Sequence, residues 1–130
     1  GDDFSPVRPE LCKEYPTNYC IRQQINGKFS IRTYIDMPES TCIAFASRYV
    51  DEDFHSFDEY VQSSLEDFLN LHNGLFNVNM SNEQGLELQL DVPNVVTDEL
   101  VTFEHEAYML PIVYSFGTIH FIFELIHNEL

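Results

Sequence analysis

Two segments near the start of the chain, at 19–25 and 28–35, alternate apolar and polar residues, and Asn26-Gly27 lies between them. Alternation with a period of two is typical of β-strands, because successive side chains point to opposite faces of a sheet. Asn-Gly favours a two-residue turn, since both residues tolerate positive φ. The pattern therefore predicts a β-hairpin.

Helical spacing replaces this alternation after the hairpin. Asp36 suits an N-cap and Pro38 suits a first turn, and apolar residues three and four apart follow until an acidic segment ends the first helix. A second, longer helix is predicted from near Ser56 to about residue 78 or 80. A polar turn at 82–85 follows it.

The remainder of the chain predicts strands. Leu and Val alternate with polar residues over 86–92, and Pro93 ends this segment because proline cannot donate a hydrogen bond to a sheet. A last pair of strands is predicted at 108–116 and 118–126, with the turn at Gly117. These strands complete the order β-β-α-α-β-β-β.

Strands grouped around a helical pair indicate an α+β fold, in which two helices pack on a mainly antiparallel β-sheet. We expect one domain over 1–130, with the proline-containing residues 1–17 as an irregular lead-in. A hydrophobic content of 44% excludes a disordered chain. The last strand is strongly apolar, so we expect it either at the centre of the sheet or at an edge that needs cover.

Charge is distributed unevenly along the chain. Lys and Arg number 6 against 22 Asp and Glu, for a net charge of −16, and no Lys or Arg lies beyond Arg48. This balance argues against nucleic acid or an anionic membrane as a partner, because both attract basic surfaces. No apolar run is long enough to predict a membrane span. The acidic part is expected to be either a solvated surface or a patch that meets a partner's lysine or arginine.

The usual motifs of metal, nucleotide or nucleophile chemistry are missing from the sequence. Its Cys and His residues have neither zinc-finger nor H-E-x-x-H spacing, and His72 falls in an apolar helical stripe, where a core or edge histidine is expected. We therefore expect no metal site and no cofactor of its own. The odd number of cysteines (3) indicates free thiols and a cytoplasmic localisation. The start, Gly1-Asp2-Asp3-Phe4, is not a signal peptide and indicates a processed chain or a piece of a longer one.

The second predicted helix has an unusual polar face. Its row of Ser63, Asp67, Asn70 and Gly74, at spacings of four, three and four residues, lies opposite the apolar stripe. Exposed helix faces usually carry long side chains, and Gly costs about 1 kcal/mol relative to Ala in a helix. Small residues let another surface approach closely, and Asp67 and Asn70 would present a carboxylate and an amide together. The alternatives are a merely solvated row, or a helix that ends early with Asn73-Gly74 as its C-cap.

The segment 65–77 resembles the signature helix of the CheC/CheX/FliY chemotaxis phosphatases, in which Glu-x-x-Asn is followed four residues later by Gly. Asn70 and Gly74 match this signature, and Asp67 stands where the family has Glu. A strand before the helices and Pro93 near the end of the strand after them agree, so the resemblance covers about 19–126. One signature helix is present rather than two, which makes the chain more similar to the CheX branch.

The resemblance implies a phosphatase that hydrolyses the aspartyl phosphate of a CheY-type response-regulator receiver domain. In this family the receiver supplies the phosphoaspartate, a divalent metal and a lysine. Asp67 would pair with that lysine, Asn70 would position the attacking water, and Ser63 and Gly74 would allow close approach. Such a site acts by positioning, so the chain itself needs no metal ligand or nucleophile.

Two departures from the family favour an alternative function. Asp67 is one methylene shorter than Glu, which withdraws the carboxylate by more than about 1 Å. The lead-in contains prolines and cannot form the long first helix that is usual in CheX proteins. The alternative is a catalytically degenerate CheX-like module for interaction or dimerisation, in which the sheet edge would be the contact of a homodimer.

Overall fold

A computed structural model describes residues 4–6 and 9–126 of the chain. Its elements in chain order are β1 (Phe4–Pro6), β2 (Glu10–Pro16), β3 (Tyr19–Asn26), β4 (Ser30–Met37), α1 (Glu39–Val50), α2 (Glu59–Gln84), β5 (Gln89–Leu90), β6 (Asn94–Thr97), β7 (Leu100–Tyr114) and β8 (Gly117–Ile126). Two adjacent helices between two groups of strands are therefore present, as the sequence predicts.

The eight strands form one sheet, and each described pairing is antiparallel. From one edge to the other the order is β1-β7-β8-β4-β3-β5, with β2 also beside β7 and β6 also beside β3. Both helices pack on one face of this sheet. The prediction of an α+β fold, with two helices on a mainly antiparallel sheet, is confirmed.

The main core lies between the sheet and the helices. β3 and β4 form the predicted hairpin, and Ile21 and Ile35 point from it toward α2. They are completely buried against Leu65 and Leu69, which share the apolar face of the helix. Burial of a side chain of this size stabilises the fold by about 1.5–3 kcal/mol. These contacts fix which face of α2 is turned away from the sheet.

A second buried cluster lies on the opposite face of the sheet. Cys20 and Tyr34 point to this side and pack near Phe103 of β7. Strand β7 pairs with β2 along its first half, which contains Phe103, and with β8 along its second half. The pairing with β2 has an irregularity in register between Cys12 and Glu14. The middle of the sheet is therefore covered on both faces.

The irregular lead-in predicted over 1–17 is wrong where the structure describes it. β1 and β2 both pair with β7, and Tyr15 of β2 lies opposite Val101. The sequence of β2 hides this strand, since four of its seven residues are Glu, Lys or Pro and no regular alternation is visible. Its pairing partner lies near the other end of the chain. Residues 1–3 and 7–8 of the predicted lead-in lie outside the described residues.

Asp36 does not cap the first helix as predicted. It lies in β4, fully buried, and accepts hydrogen bonds from the backbone N–H of Asn18 (2.7 Å), the side-chain amide of Asn18 (3.2 Å) and the Tyr15 hydroxyl (2.9 Å). Burial raises the pKa of the Asp36 carboxyl, although these donors oppose the shift. α1 begins at Glu39 after Pro38, which has no side-chain bond to the helix.

The C-terminal strands differ in length from the prediction. The strand expected over 86–92 is limited to β5, whereas β7 begins well before residue 108. β8 lies between β7 and β4, so this apolar strand is central and not an edge. Gly117 opens β8 with φ 144°, and a Cβ there would lie 2.3 Å from Oγ1 of Thr41. Glycine is required at this turn for both reasons.

In the part of the chain that the structure describes, no helix has both the length and the hydropathy needed to cross a membrane. Within those same residues, no three His, Cys, Asp or Glu side chains gather closely enough to hold a metal ion. The three cysteines are unpaired, with Cys20 and Cys42 buried and Cys12 partly buried.

Candidate functional site

The long helix α2 is continuous through the region of interest. Asp58 is the N-cap, because its side chain accepts hydrogen bonds from the backbone N–H groups of Tyr60 (3.0 Å) and Val61 (2.9 Å). Gly85 ends the helix in the left-handed conformation, with φ 67°. A helix that stops at Asn73-Gly74 is therefore wrong, and Gly74 lies in the helix interior.

The four predicted site residues lie in one row along α2, which we call the polar ridge (Ser63, Asp67, Asn70 and Gly74). Ser63, Asp67 and Asn70 are exposed, and Gly74 is half-buried. The ridge lies on the side of α2 opposite Leu65, which is buried against the sheet, and the Asn70 side chain reaches back toward β3. A Cβ added to Gly74 would meet no atom within 4 Å, so nothing within the described chain requires glycine there.

Asp67 is held from the neighbouring helix. The hydroxyl of Tyr49, in the last turn of α1, donates to Oδ2 of Asp67 at 2.8 Å. This hydrogen bond raises the pKa of the Tyr49 phenol, because ionisation would break it. The Tyr49 ring stacks on Phe45, with centroids 5.7 Å apart, so the hydroxyl has a defined position.

Asp67 has no cationic partner among the described residues. The ion pairs found there join Glu124 to Arg32 (3.4 Å) and to His105 (3.3 Å). Helix α2 contains no Lys or Arg, and Arg48 of α1 is directed at the Phe116 ring, 4.6 Å from its centroid. Within the described part of the chain, the Asp67 carboxylate therefore has a hydroxyl as its hydrogen-bond partner and no opposite charge.

Asn70 is connected to the sheet beneath it. Its Oδ1 accepts a hydrogen bond from Nε2 of Gln23 at 2.7 Å, and the same nitrogen donates to the backbone carbonyl of Asp91 at 2.9 Å. Gln23 lies on β3 and is only 1% exposed. Asn70 thus combines an exposed position with a buried anchor.

Sequence analysis did not identify the residues behind Asn70. Asn73 is 2% exposed and donates from Nδ2 to Oε1 of Gln23 and to Oγ1 of Thr33, at 2.9 Å each. Its spacing is the feature of the sequence that indicates burial, because Asn73 follows the buried Leu69 by four residues and so lies on the same face of the helix. His72, expected in that stripe, is exposed, with its ring centroid 5.6 Å from that of Phe121.

An open groove of about 460 Å³ lies beside the polar ridge, between α2 and the end of α1. Its lining residues are Tyr49, Val50, Glu52, Phe54, Tyr60, Ser63, Ser64 and Asp67. Further along α2, Leu71, Leu75 and Val78 are 57%, 60% and 55% exposed. The ridge therefore presents a hydroxyl, a carboxylate and an amide between apolar surfaces, an arrangement that suits contact with another macromolecule.

The sequence matches the model of a protein family described as "Chemotaxis phosphatase CheX" over residues 19–117. This segment contains the hairpin, both helices and the polar ridge. Among curated proteins, no sequence matches this chain.

Several solved structures are similar to this fold. CheX from Desulfovibrio desulfuricans superposes with a TM-score of 0.81 at 15% identity, covering 94% of this chain and 85% of that one. The CheX–CheY–BeF3–Mg²⁺ complex from Borrelia burgdorferi gives 0.79 at 17% identity, covering 98% and 86%. A CheC-like superfamily protein from Shewanella sp. PV-4 gives 0.78 at 19% identity, covering 94% and 83%. At these identities the similarity shows the fold.

Proposed function

Because this chain belongs to the CheX family of chemotaxis phosphatases, we propose that it accelerates hydrolysis of the aspartyl phosphate on a CheY-type response-regulator receiver domain. The observation that carries the proposal is the polar ridge, where Asp67 and Asn70 lie one turn apart and are both exposed. The structure of a related CheX with CheY supports the class of partner.

The proposed mechanism divides the chemistry between two proteins. The receiver contributes the phosphoaspartate, a divalent metal and a lysine, and this chain inserts its polar ridge. Asp67 pairs with the lysine, and Asn70 positions the attacking water beside the phosphoryl group. Phosphoryl transfer asks mainly for positioning and charge stabilisation, so an amide and a carboxylate are sufficient from this side.

The function is tested by adding the protein to a phosphorylated receiver and following the loss of the aspartyl phosphate. Several receivers from the same genome are compared, each against its own spontaneous decay. Acceleration of at least one receiver is the expected result. Decay at the spontaneous rate for every receiver, with the protein folded, would contradict the proposal.

A non-catalytic interaction module is the second candidate, and the contact between Tyr49 and Asp67 is the observation that favours it. The acid is one methylene shorter than the family's Glu and is turned toward α1 by the 2.8 Å hydrogen bond. A degenerate module would bind a receiver without accelerating its dephosphorylation, or would form a homodimer. Since β8 is central, a homodimer through the sheet would use β1 and β2 or β5 and β6 at the edges. Calorimetry with a receiver, together with light scattering of the protein alone, distinguishes these forms.

Gly74→Ala is expected to separate stability from binding. The substitution should raise the free energy of unfolding by about 1 kcal/mol, because Ala favours helix and its Cβ meets no neighbour within 4 Å. It should also weaken receiver binding by about tenfold, since a methyl group would intrude on a closely packed contact. Urea denaturation and titration calorimetry measure the two effects. Stabilisation with unchanged binding would exclude Gly74 from the docking surface.

Asp67→Glu is expected to raise kcat/KM for dephosphorylation by about tenfold, because the longer side chain returns the carboxylate to the position that the family uses. Asp53→Glu, the same change at an exposed Asp of the loop between the helices, is the matched control and should have no effect. Tyr49→Phe tests whether the hydrogen bond restrains Asp67, since it removes only the donating hydroxyl. Equal kcat/KM values in wild type and Asp67→Glu would show that reach does not limit this site.

A further inference from the structure

A buried amide network (Gln23, Asn73 and Thr33) holds the side chain of Asn70 from beneath. Gln23 and Asn73 are 1% and 2% exposed, so their amides have no access to bulk water. The contact with Asn70 runs from Gln23 Nε2 to Asn70 Oδ1 at 2.7 Å. This contact determines which end of the Asn70 amide faces outward, the oxygen or the NH2 group.

One end of the network is fixed by the backbone of Asp91. Its carbonyl oxygen lies 2.9 Å from the Gln23 amide and can only accept a hydrogen bond. The atom of Gln23 at this position must therefore be the nitrogen. The same nitrogen also faces Asn70, so the Asn70 atom that receives its second proton must be the oxygen.

The other end of the network gives the same answer independently. The hydroxyl of Thr33 donates its single proton to the backbone carbonyl of Gln23 at 2.7 Å. Thr33 can then only accept from Asn73, so the Asn73 atom at 2.9 Å is Nδ2. This nitrogen also donates to Gln23 at 2.9 Å, which places Oε1 of Gln23 on that side and Nε2 toward Asn70.

We infer that Gln23 is a positioning residue that orients Asn70 with its oxygen inward and its NH2 group outward, so that Asn70 acts on the reaction as a hydrogen-bond donor to oxygen atoms at the reacting centre. This inference rests on the proposed function and specifies how Asn70 takes part in it. Donors aimed at developing negative charge stabilise a transferring phosphoryl group. Because Oδ1 points inward to Gln23, the outward end of Asn70 presents its N–H donors, and not an acceptor, to the attacking water.

The orientation is tested first on the unmodified protein by ¹⁵N NMR of the side-chain amides. Both Nε2 protons of Gln23 are hydrogen-bonded and buried, so their exchange with water should be at least about 100-fold slower than that of the Asn70 NH2 group. Protection of the Asn70 NH2 group as strong as that of Gln23 would reverse the assigned orientation and overturn the inference. This measurement needs neither a variant nor a receiver.

The consequence for the reaction is tested with Gln23→Met, which keeps the approximate size of the side chain and removes its amide. We expect kcat for receiver dephosphorylation to fall by about 10- to 100-fold, while the Kd for the receiver stays within about twofold. Val61→Ala, on the buried face of the same helix as Asn70, is the control for general destabilisation and should keep kcat. An equal loss of kcat in both variants would show that Gln23 has only a structural role and would overturn the inference.

Asn70→Asp gives a second, independent test of the donor role. The substitution keeps an oxygen for Gln23 but replaces the outward N–H groups by an acceptor, so kcat should fall by about 100-fold. Wild-type kcat in this variant would overturn the donor role. If the wild-type protein itself has no phosphatase activity, the proposed function and the catalytic part of the inference both fail, and NMR still decides the orientation of Asn70.

Discussion

Asn70→Ala is expected to lower receiver dephosphorylation by about 100-fold, the usual effect of removing one well-placed hydrogen-bonding group from a site that works by positioning. The side chain is exposed at its outer end, so the substitution removes the group that we propose to meet the phosphoryl centre. At the inner end, Gln23 would lose an acceptor at 2.7 Å but keep the Asp91 carbonyl. The fold should therefore survive.

Phosphate release from a phosphorylated receiver, at saturating and limiting concentrations of the receiver, gives kcat and KM for this variant. Asn79→Ala is the matched control, because Asn79 is an exposed Asn on the same helix outside the polar ridge. Its activity should equal that of wild type. Equal activity of Asn70→Ala and wild type would remove Asn70 from the mechanism and favour the interaction module.

Asp36→Ala is expected to lower the free energy of unfolding by about 3 kcal/mol, the largest effect on stability among these variants. It removes the fully buried acceptor for the backbone N–H of Asn18 and for the Tyr15 hydroxyl, at 2.7 and 2.9 Å, and leaves both donors without this partner. Asp53→Ala removes an exposed acid and should change the free energy by less than about 0.5 kcal/mol. Urea denaturation monitored by circular dichroism measures both.

The contribution of Asp36 to stability depends on pH in a defined direction. Burial raises the pKa of Asp36 above the value of about 3.9 that it has in the unfolded chain. Its contribution to stability is therefore complete below about pH 4 and is lost as the pH rises through the raised pKa. Asp36→Asn keeps an oxygen for the Asn18 N–H and does not titrate.

We therefore expect Asp36→Asn to gain in stability relative to wild type as the pH rises from 4 to 7. The free energy of unfolding of both proteins is measured at pH 4, 5.5 and 7. The difference between the two proteins isolates Asp36, because the other acids titrate in both. A stability difference that stays constant over this range would show that burial does not raise the pKa of Asp36.

Asp36 and Asp67 illustrate opposite uses of a carboxylate in this protein. Asp36 is buried and saturated with donors, so it holds β2, β3 and β4 together through Tyr15 and Asn18. Asp67 is exposed and receives one hydroxyl, so most of its hydrogen-bonding capacity faces solvent. Their burial, and not their chemical type, separates a structural role from a candidate docking role.

Features that depend on local pattern could be predicted from the sequence. Alternation and Asn26-Gly27 predicted the β3–β4 hairpin, and helical spacing predicted that Ser63, Asp67 and Asn70 would lie on the outer face of one helix. These features are local because side-chain direction repeats every two residues in a strand and about every 3.6 in a helix. A match of such a row to a known signature then indicated the family.

Features that depend on residues far apart in the chain became visible only in the folded molecule. β2 has no regular alternation and becomes a strand because β7 supplies its hydrogen bonds. Asp36 looks like a helix cap in sequence but is buried by Tyr15 and Asn18. Gln23 meets Asn70 across 47 positions of sequence. A periodic pattern contains no information on such pairings, since they are fixed by sheet register and by the packing of α2 on β3.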